Sequence, residues 1–374
     1  MFRHTIPLGR IFGISIDLDY SWFLIFGLLT WILAVSYFPA ELKNWNPAGY
    51  WLMGAVTAIL LFVSVLFHEL GHSVVAKHFG IPVPRITLFI FGGVSQISTE
   101  PADANKEFWM AAAGPAVSFV LAAIFWELRL ILAGAPALFI LSKYMALLNL
   151  VLGVFNLIPG LPLDGGRVFR AIIWGISRNF RRATSVATLT GRFFGFALIF
   201  IGVWLVLAGD LFDGLWTAFI GWFIESAAGS QFRQQVVKDL LAGHRVSEMM
   251  SRDCARVPSD LTLQDLVEKH ILGSGHRCFV VTQGNQTIGL ITLSEITKVP
   301  RSSWASTRIA DVMIPSGKLV STPANAEAWP TVEGMERDGI SQTPVVDGGK
   351  IIGVLSRDDL VHYLGILRSL HAQA

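Results

Sequence analysis

Six apolar stretches, each near the length that crosses a lipid bilayer, restrict this chain more than any other feature of its sequence. They cover residues 20–38, 50–79, 109–128, 136–157, 186–208 and 211–226. A spanning helix needs about 20 mostly apolar residues. Charged residues make up 15% of the chain, whereas they make up about 25% of an ordinary soluble protein. The sequence therefore predicts a polytopic α-helical membrane domain of about six transmembrane helices over residues 1–226.

The sequence changes character after the last apolar stretch. Residues 227–243 are polar with a helical pattern and predict a linker helix, and the remainder has the mixed charge of a globular domain. The net charge of +2, without a dense basic cluster in this part, argues against nucleic-acid binding. Cys254 and Cys278 are the only cysteines, so a disulfide framework or a cysteine-based metal site is excluded.

Basic residues predict how the chain sits in the membrane. Five arginines lie between the fourth and fifth stretches, and Lys77, Arg85 and Lys106 lie between or near the ends of the second and third. The positive-inside rule places these segments, both termini and the globular tail in the cytoplasm. The first apolar run carries no cleavage site, so the N-terminus is expected to be retained. We expect an integral protein of the cell's inner or plasma membrane.

The second stretch carries His68, Glu69 and His72 inside an apolar run. Ionisable side chains at membrane depth cost several kcal/mol, about 2.5 or more each, and therefore indicate function. Two histidines four residues apart project from one helix face. His-Glu-x-x-His on a helix is typical of zinc sites, in which the imidazoles ligate and the glutamate is a general base. The alternative, a satisfied pair of core histidines, is disfavoured by the lipid surroundings.

A catalytic zinc site needs a third protein ligand, and Asp164 is the predicted one. It lies at the cytoplasmic end of the fourth stretch, after a run broken by prolines and glycine and before two more glycines. Broken backbone is tolerated at membrane depth where it lines a cavity or is buried in protein. The alternative is that Asp164 only caps the helix that follows.

These two motifs, HELGH at 68–72 and N-x-x-P-x-x-x-x-D-G from Asn156, resemble the site-2 protease family of intramembrane zinc metalloproteases. The resemblance covers about residues 1–225. It implies that His68, His72 and Asp164 bind Zn²⁺ and that Glu69 is the general base. It also implies that Asn156 lies near the scissile carbonyl, where it could donate to the oxyanion. The alternative for Asn156 is an interhelical hydrogen bond.

Residues 84–98, PRITLFIFGGVSQIS, predict a small membrane-associated β-hairpin that turns at Gly92 and Gly93. An exposed edge of this hairpin could bind an unwound substrate peptide by strand addition. The alternative is a hairpin that only packs against the core.

The tail repeats itself weakly at a spacing of about 64 residues. VSEMM at 246 aligns with IADVM at 309, and IGLITLSEI at 288 aligns with IGVLSRDDL at 352. These α+β repeats, over residues 244–299 and 300–374, resemble a cytosolic tandem pair of cystathionine-beta-synthase (CBS) domains. The resemblance implies an adenine nucleotide bound between the repeats and association into a homodimer. The matching nucleotide-binding positions are Gly289, Thr292 and Glu295 in one copy and Gly353, Ser356 and Asp359 in the other. The alternative is a purely structural or dimerising module.

The resulting prediction is an intramembrane zinc endopeptidase with a nucleotide-responsive CBS pair as its regulator. Its expected substrate is a transmembrane or membrane-proximal segment of a membrane-tethered regulatory protein. Two other classes stay open: an ion channel or transporter regulated by CBS domains, and an inactive relative that sequesters membrane clients. The His-Glu-x-x-His motif with Asp164 favours catalysis, because a transporter needs no water-activating glutamate beside two imidazoles.

Overall fold

The computed structural model describes residues 5–90, 92–97, 101–252, 254–273, 278–284, 286–319, 321–348 and 350–371. Ser98, the last residue of the predicted hairpin, lies outside these ranges. The chain divides into two compact units between Arg233 and Gln234. This division lies within the predicted linker segment 227–243.

Seven helices lie wholly or mainly in the described part of the first unit. They are α1 (Ser21–Glu41), α2 (Pro47–His78), α3 (Ala104–Ile131), α4 (Pro136–Asn156), α5 (Asp164–Ser177), α6 (Phe180–Leu207) and α7 (Leu211–Leu241). Five of them, α1 to α4 and α6, are long and apolar enough to cross a membrane, and α1 contains one π-helical turn. These five correspond to the first five predicted stretches, so the prediction of a helical membrane unit is confirmed.

The sixth predicted stretch lies in α7, which by length and apolar content is not among the membrane-capable helices of the described chain. Its apolar part is interrupted by Asp213 and followed by Glu225. It nevertheless packs closely along α6. A Cβ atom added to Gly195 would lie 3.0 Å from the carbonyl oxygen of Gly221, and one added to Gly202 would lie 2.6 Å from that of Gly214. The two backbones therefore run antiparallel in direct contact, which side chains at these glycines would prevent.

Local sequence explains where the helices that carry the site begin. Pro47 occupies the first turn of α2, and the Asn46 side chain accepts a hydrogen bond from the N–H of Ala48. The Asp103 carboxylate caps α3 by accepting from the N–H of Lys106, and this bond lowers the pKa of Asp103. Gly80, in the left-handed region at φ 76°, follows the end of α2.

A four-stranded sheet accompanies these helices. Its strands are β1 (Thr5–Ile11), β2 (Ile14–Asp19), β3 (Arg85–Phe89) and β4 (Gly92–Gln96), in the order β1-β2-β3-β4. The predicted hairpin is β3 with β4, but Gly92 and Gly93 already pair with β3, so the prediction of a turn at these glycines is wrong. Both glycines lie in β4, opposite Phe89 and Leu88. Among the described residues, β4 is the outer strand and pairs only with β3.

Two sheets lie in the described part of the C-terminal unit. The strands are β5 (Ala255–Pro258), β6 (Cys278–Gln283), β7 (Gln286–Thr292), β8 (Ile314–Pro315), β9 (Thr322–Pro323), β10 (Gln342–Asp347) and β11 (Lys350–Ser356). Their orders are β5-β6-β7-β8 and β11-β10-β9. The helices are α8 (Val246–Met249), α9 (Leu263–Asp265, continued by a π-helical segment Leu266–Ile271), α10 (Leu293–Ile296), α11 (Ile309–Val312), α12 (Ala328–Asp338) and α13 (Arg357–His371). The mixed helix-and-strand composition predicted for the tail is confirmed.

The two predicted repeats are interleaved rather than separate. Val246 and Met249, at the start of the first repeat, are buried in a core with Val332 and Leu355 of the second. In return, Ile309 of the second repeat is buried in the core of the first. The strand β8 likewise pairs with β7. Each core therefore depends on a segment contributed by the other repeat.

Candidate metal centre

Helix α2 presents both histidines of the HELGH motif on its buried face. His68 and His72 are each 4% exposed, and both face α3. The approach of the two helices depends on small residues. A Cβ atom at Gly71 would lie 3.0 Å from the carbonyl oxygen of Ala113. The sequence thus places two imidazoles at a tight helix–helix contact within an apolar span.

Asp164 reaches the same place from α5. The segment between α4 and α5 is held against α6 by a hydrogen bond from the N–H of Leu161 to the carbonyl of Ala187 (3.1 Å). Gly160, Gly166 and Gly191 all lie against backbone atoms that a side chain would overlap. The Pro-Gly-rich sequence therefore folds into a compact turn, and Asp164 is the first residue of the helix after it.

Three ligand atoms converge. The Asp164 Oδ2 atom lies 3.0 Å from His68 Nε2 and 3.1 Å from His72 Nε2, and the two Nε2 atoms are 3.3 Å apart. Zinc bonded tetrahedrally at about 2.0 to 2.1 Å holds its ligand atoms about 3.3 Å apart. Two nitrogens and one carboxylate oxygen also match the donor set of catalytic zinc sites. The three residues therefore fit a zinc ion with one coordination position left for substrate or water.

The other ring nitrogen of each histidine is held by α3. His72 Nδ1–H donates to the carbonyl oxygen of Met110 (2.6 Å), and His68 Nδ1 lies 2.9 Å from the hydroxyl of Ser118. Such contacts fix the ring orientation and leave Nε2 of each imidazole for a metal. Sequence reasoning missed both partners. Ser118 could have been noticed as a polar residue within an apolar stretch. The sequence gives no signal for a backbone carbonyl such as that of Met110.

Gly114 of α3 lies directly behind the ligand atoms. A Cβ atom there would lie 2.6 Å from His68 Nε2 and even closer to His72 Nε2. Only a residue without a side chain leaves room for the two imidazoles at this contact. The approach of this glycine to the histidine nitrogens was not foreseen from the sequence.

Glu69 is half-buried, and strand β4 contacts its side chain. The Ser95 hydroxyl donates to Glu69 Oε2 at 2.5 Å. The carboxylate is thus held by a residue of the sheet. Ser95 was not among the predicted site residues.

Asn156 is half-buried at the last residue of α4, eight positions before Asp164. Its amide donates to the carbonyl oxygen of Leu152 in its own helix (3.0 Å). The interhelical hydrogen bond considered as an alternative is not the contact that Asn156 makes here. Its second amide hydrogen and its amide oxygen can still bond to another group.

A buried ion pair connects two helices of the metal centre. Arg170 of α5 binds Glu107 in the first turn of α3, with Arg170 Nε 2.8 Å from Glu107 Oε1. Glu107 is fully buried, and the Arg170 guanidinium also lies over the ring of Phe180 at 4.9 Å. The pair ties the helix that carries Asp164 to the helix that orients the histidines.

The predicted nucleotide-binding residues form two equivalent sets in the C-terminal unit. The hydroxyl of Thr292 bonds the carboxylate of Glu295 at the start of α10, and that of Ser356 bonds Asp359 (2.5 Å) at the start of α13. The two glycines lie close to backbone: a Cβ atom at Gly289 would be 2.6 Å from the Ile314 carbonyl oxygen, and one at Gly353 would be 2.5 Å from that of Ser251. The Ser356 hydroxyl also accepts from the N–H of Asp359 and so caps α13, whereas Thr292 precedes α10 without a side-chain capping bond. The two glycines permit close packing of the backbone.

Known protein families match the sequences of both units. The sequence model of peptidase family M50 matches residues 56–143 and 133–201, and that of the CBS domain matches 246–302 and 309–366. A Mycobacterium tuberculosis protein named "Putative zinc metalloprotease Rip3" is 35% identical, over 98% of this chain and 94% of its own length. Zinc metalloprotease MJ0392 of Methanocaldococcus jannaschii is 29% identical, over 98% of this chain and 97% of its own length. The solved site-2 protease from Methanocaldococcus jannaschii is 30% identical, covers 61% of this chain and 95% of that one, and has a TM-score of 0.42.

Proposed function

Since the chain belongs to peptidase family M50, the zinc metalloproteases of the site-2 type, we propose that it cleaves a membrane-tethered regulatory protein in or near a transmembrane segment. The observation that carries this proposal is the convergence of the ligand atoms of His68, His72 and Asp164 within 3.3 Å of one another. Glu69 follows His68 in the same helix. We assign the first three as zinc ligands. Glu69 is the general base.

The chemistry divides between the metal and the chain. Zinc, when bound, polarises the scissile carbonyl and makes water a nucleophile near neutral pH. Glu69 accepts the proton of the attacking water and delivers it to the leaving amine. Asn156, at the end of α4, is proposed to donate its second amide hydrogen to the oxyanion. Oxyanion donors of this kind contribute about 2.7 to 4 kcal/mol.

Strand β4 is the proposed docking edge for the substrate. A transmembrane helix uses its own backbone hydrogen bonds, so cleavage requires that it unwind locally. Within the described sheet the outer edge of β4 carries backbone groups without a neighbouring strand, and an unwound peptide can pair with them. Because Ser95 in this strand contacts Glu69, a peptide bound there lies beside the general base.

The packing of α7 supports a cytoplasmic position for the C-terminal unit. Close contacts with α6 begin at Val206, against Gly214, and continue to a cavity lined by Val186 and Phe232. On α6 the contact covers 20 positions, from Val186 to Val206. At 1.5 Å per residue they correspond to about 30 Å, the thickness of the hydrocarbon core. We therefore propose that α7 crosses the membrane as a sixth helix, despite its acidic residues. Both termini then lie on the cytoplasmic side that the arginine-rich segments predict.

The CBS pair is proposed to regulate cleavage by binding an adenine nucleotide between its repeats, and to associate into a homodimer. The equivalent placement of Thr292 with Glu295 and of Ser356 with Asp359 supports the nucleotide proposal. Equilibrium dialysis of the full chain with ATP tests it. Unchanged binding in Asp359→Asn would contradict the assigned residue.

One experiment tests the proteolytic function. Purified protein is incubated with a single-span reporter, and cleavage is compared among the wild type, wild type with a zinc chelator, Glu69→Gln and Glu127→Gln. Glu127 is an exposed glutamate on α3 and serves as the matched control. We expect cleavage by the wild type and by the control alone. Cleavage that survives Glu69→Gln would refute the enzyme proposal, and ion flux without cleavage would favour the channel alternative. Zinc bound at wild-type stoichiometry by Asp164→Ala would refute the ligand assignment.

A further inference from the structure

Strand β4 touches the general base at two alternate residues. The Ser95 hydroxyl donates to Glu69 Oε2 at 2.5 Å. A Cβ atom at Gly93 would lie 2.5 Å from Glu69 Cγ and 3.1 Å from Cδ. Because residues i and i+2 of a strand share a face, one face of β4 lies against the glutamate side chain. Gly93 lets the strand approach, and Ser95 makes the polar contact.

A second hydroxyl constrains the first. Ser73, fully buried on α2 one turn after Glu69, lies 3.4 Å from the Ser95 hydroxyl and donates to it. Ser95 therefore accepts from Ser73 and donates to Glu69. The direction of its O–H bond is set by both neighbours.

We propose that Ser95 is a positioning residue that ties the Glu69 carboxylate to strand β4. This inference rests on the proposed function of Glu69 as the base. The same strand offers its outer edge to the substrate, so the orientation of the base follows the position of the docking strand. Substrate binding and proton transfer are thereby coupled through one hydrogen bond.

The effect belongs to turnover rather than to substrate binding. Without the hydroxyl the carboxylate can rotate about its side-chain bonds, and a misplacement of about 1 Å costs on the order of 100-fold in rate. Ser95→Ala is therefore expected to lower kcat by about 10- to 100-fold, with KM changed less than about twofold. Zinc content stays at the wild-type level, because Ser95 contacts none of the three metal-binding side chains. Ser95→Thr keeps the donor in a residue that suits a strand, and is expected to recover kcat to within about threefold of wild type.

The proposal is tested by measuring kcat and KM separately for full-length protein acting on a single-span reporter. Zinc is measured in each sample. Ser230→Ala is the matched control, because it removes an exposed hydroxyl on α7 that bonds within its own helix, and it should retain wild-type kcat. Gly93→Ala provides a second route: its methyl group must displace Glu69, so kcat should fall without loss of zinc.

Four results would overturn the proposal. They are wild-type kcat in Ser95→Ala, equal losses in Ser95→Ala and Ser95→Thr, a rise in KM with unchanged kcat, and full activity in Gly93→Ala. Failure of the proposed function has a different signature, namely cleavage by Glu69→Gln or none by wild type. An active Ser95→Ala beside an inactive Glu69→Gln therefore removes the positioning role alone.

Discussion

Replacing Gly114 with alanine is expected to abolish zinc binding while leaving the helix intact. The added methyl carbon would lie 2.6 Å from His68 Nε2 and closer still to His72 Nε2. Non-bonded carbon and nitrogen atoms need about 3.5 Å, so each imidazole must retreat by about 1 Å. Zinc sites tolerate ligand displacements of only about 0.2 Å. The loss in zinc affinity should therefore exceed the 10- to 100-fold, about 1.4 to 2.7 kcal/mol, that follows from disturbing an orienting contact alone.

Zinc content after dialysis against a graded chelator series, measured together with reporter cleavage, decides this prediction. Gly27→Ala is the control, because a Cβ atom at Gly27 in α1 meets no atom within 4 Å. It should bind zinc and cleave as the wild type does, and the alanine should slightly favour the helix. Wild-type zinc affinity in Gly114→Ala would refute the placement of the two imidazoles against α3.

Three further predictions concern contacts around the site and in the C-terminal unit. Ser118→Ala removes the partner of His68 Nδ1, and zinc affinity measured by chelator competition should fall about 10- to 100-fold. Glu107→Gln leaves Arg170 without its charged partner, and should lower the free energy of thermal unfolding by about 3 to 5 kcal/mol. Hydrogen bonds from its neighbours, foremost a histidine, lower the pKa of Glu248, so its contribution to stability is present near neutral pH and is lost as pH falls through the lowered pKa. Glu248→Gln should reduce the stability lost on acidification, measured by circular dichroism.

The first two of these predictions have a matched control. For Ser118, the control is Ser230→Ala, which removes an exposed hydroxyl bonded only within its own helix among the described contacts. For Glu107, it is Glu41→Gln, whose ion pair with Lys143 is exposed and should change stability by less than about 1 kcal/mol. An equal effect in test and control would contradict the first two predictions. An acid transition unchanged by Glu248→Gln would contradict the third.

The residues of the HELGH motif and Asp164 could be predicted because their chemistry is written locally. Four-residue spacing on a helix sets the geometry of His68 and His72, and ionisable side chains in lipid are costly without a purpose. The broken segment before Asp164 was similarly informative. The contacts that orient these groups depend on how α3 and β4 approach α2. The sequence does not show which serine or backbone carbonyl will lie at these contacts.

The errors in the predicted fold have the same origin. Gly92 and Gly93 were assigned to a turn because glycine favours turns, but Gly93 is needed within β4 to admit Glu69. Strands β1 and β2 were not predicted, because β2 pairs in parallel with β3, and Ser15 lies opposite Arg85 from a distant part of the chain. Hydropathy also does not identify α7 as a membrane helix in the structure. The proposal that it crosses the membrane rests on its glycine contacts with α6 instead.

The exchange of segments between the two CBS repeats has a consequence for biosynthesis. When the ribosome has completed the first repeat, Ile309, which that repeat needs for its core, has not yet been made. Val246 and Met249, made early, must wait for Leu355 near the end of translation. Neither half has its complete core as it emerges, so the nascent tail cannot complete its packing until almost the whole polypeptide is synthesised. A chain that ended between the halves would lack part of the core of its remaining repeat.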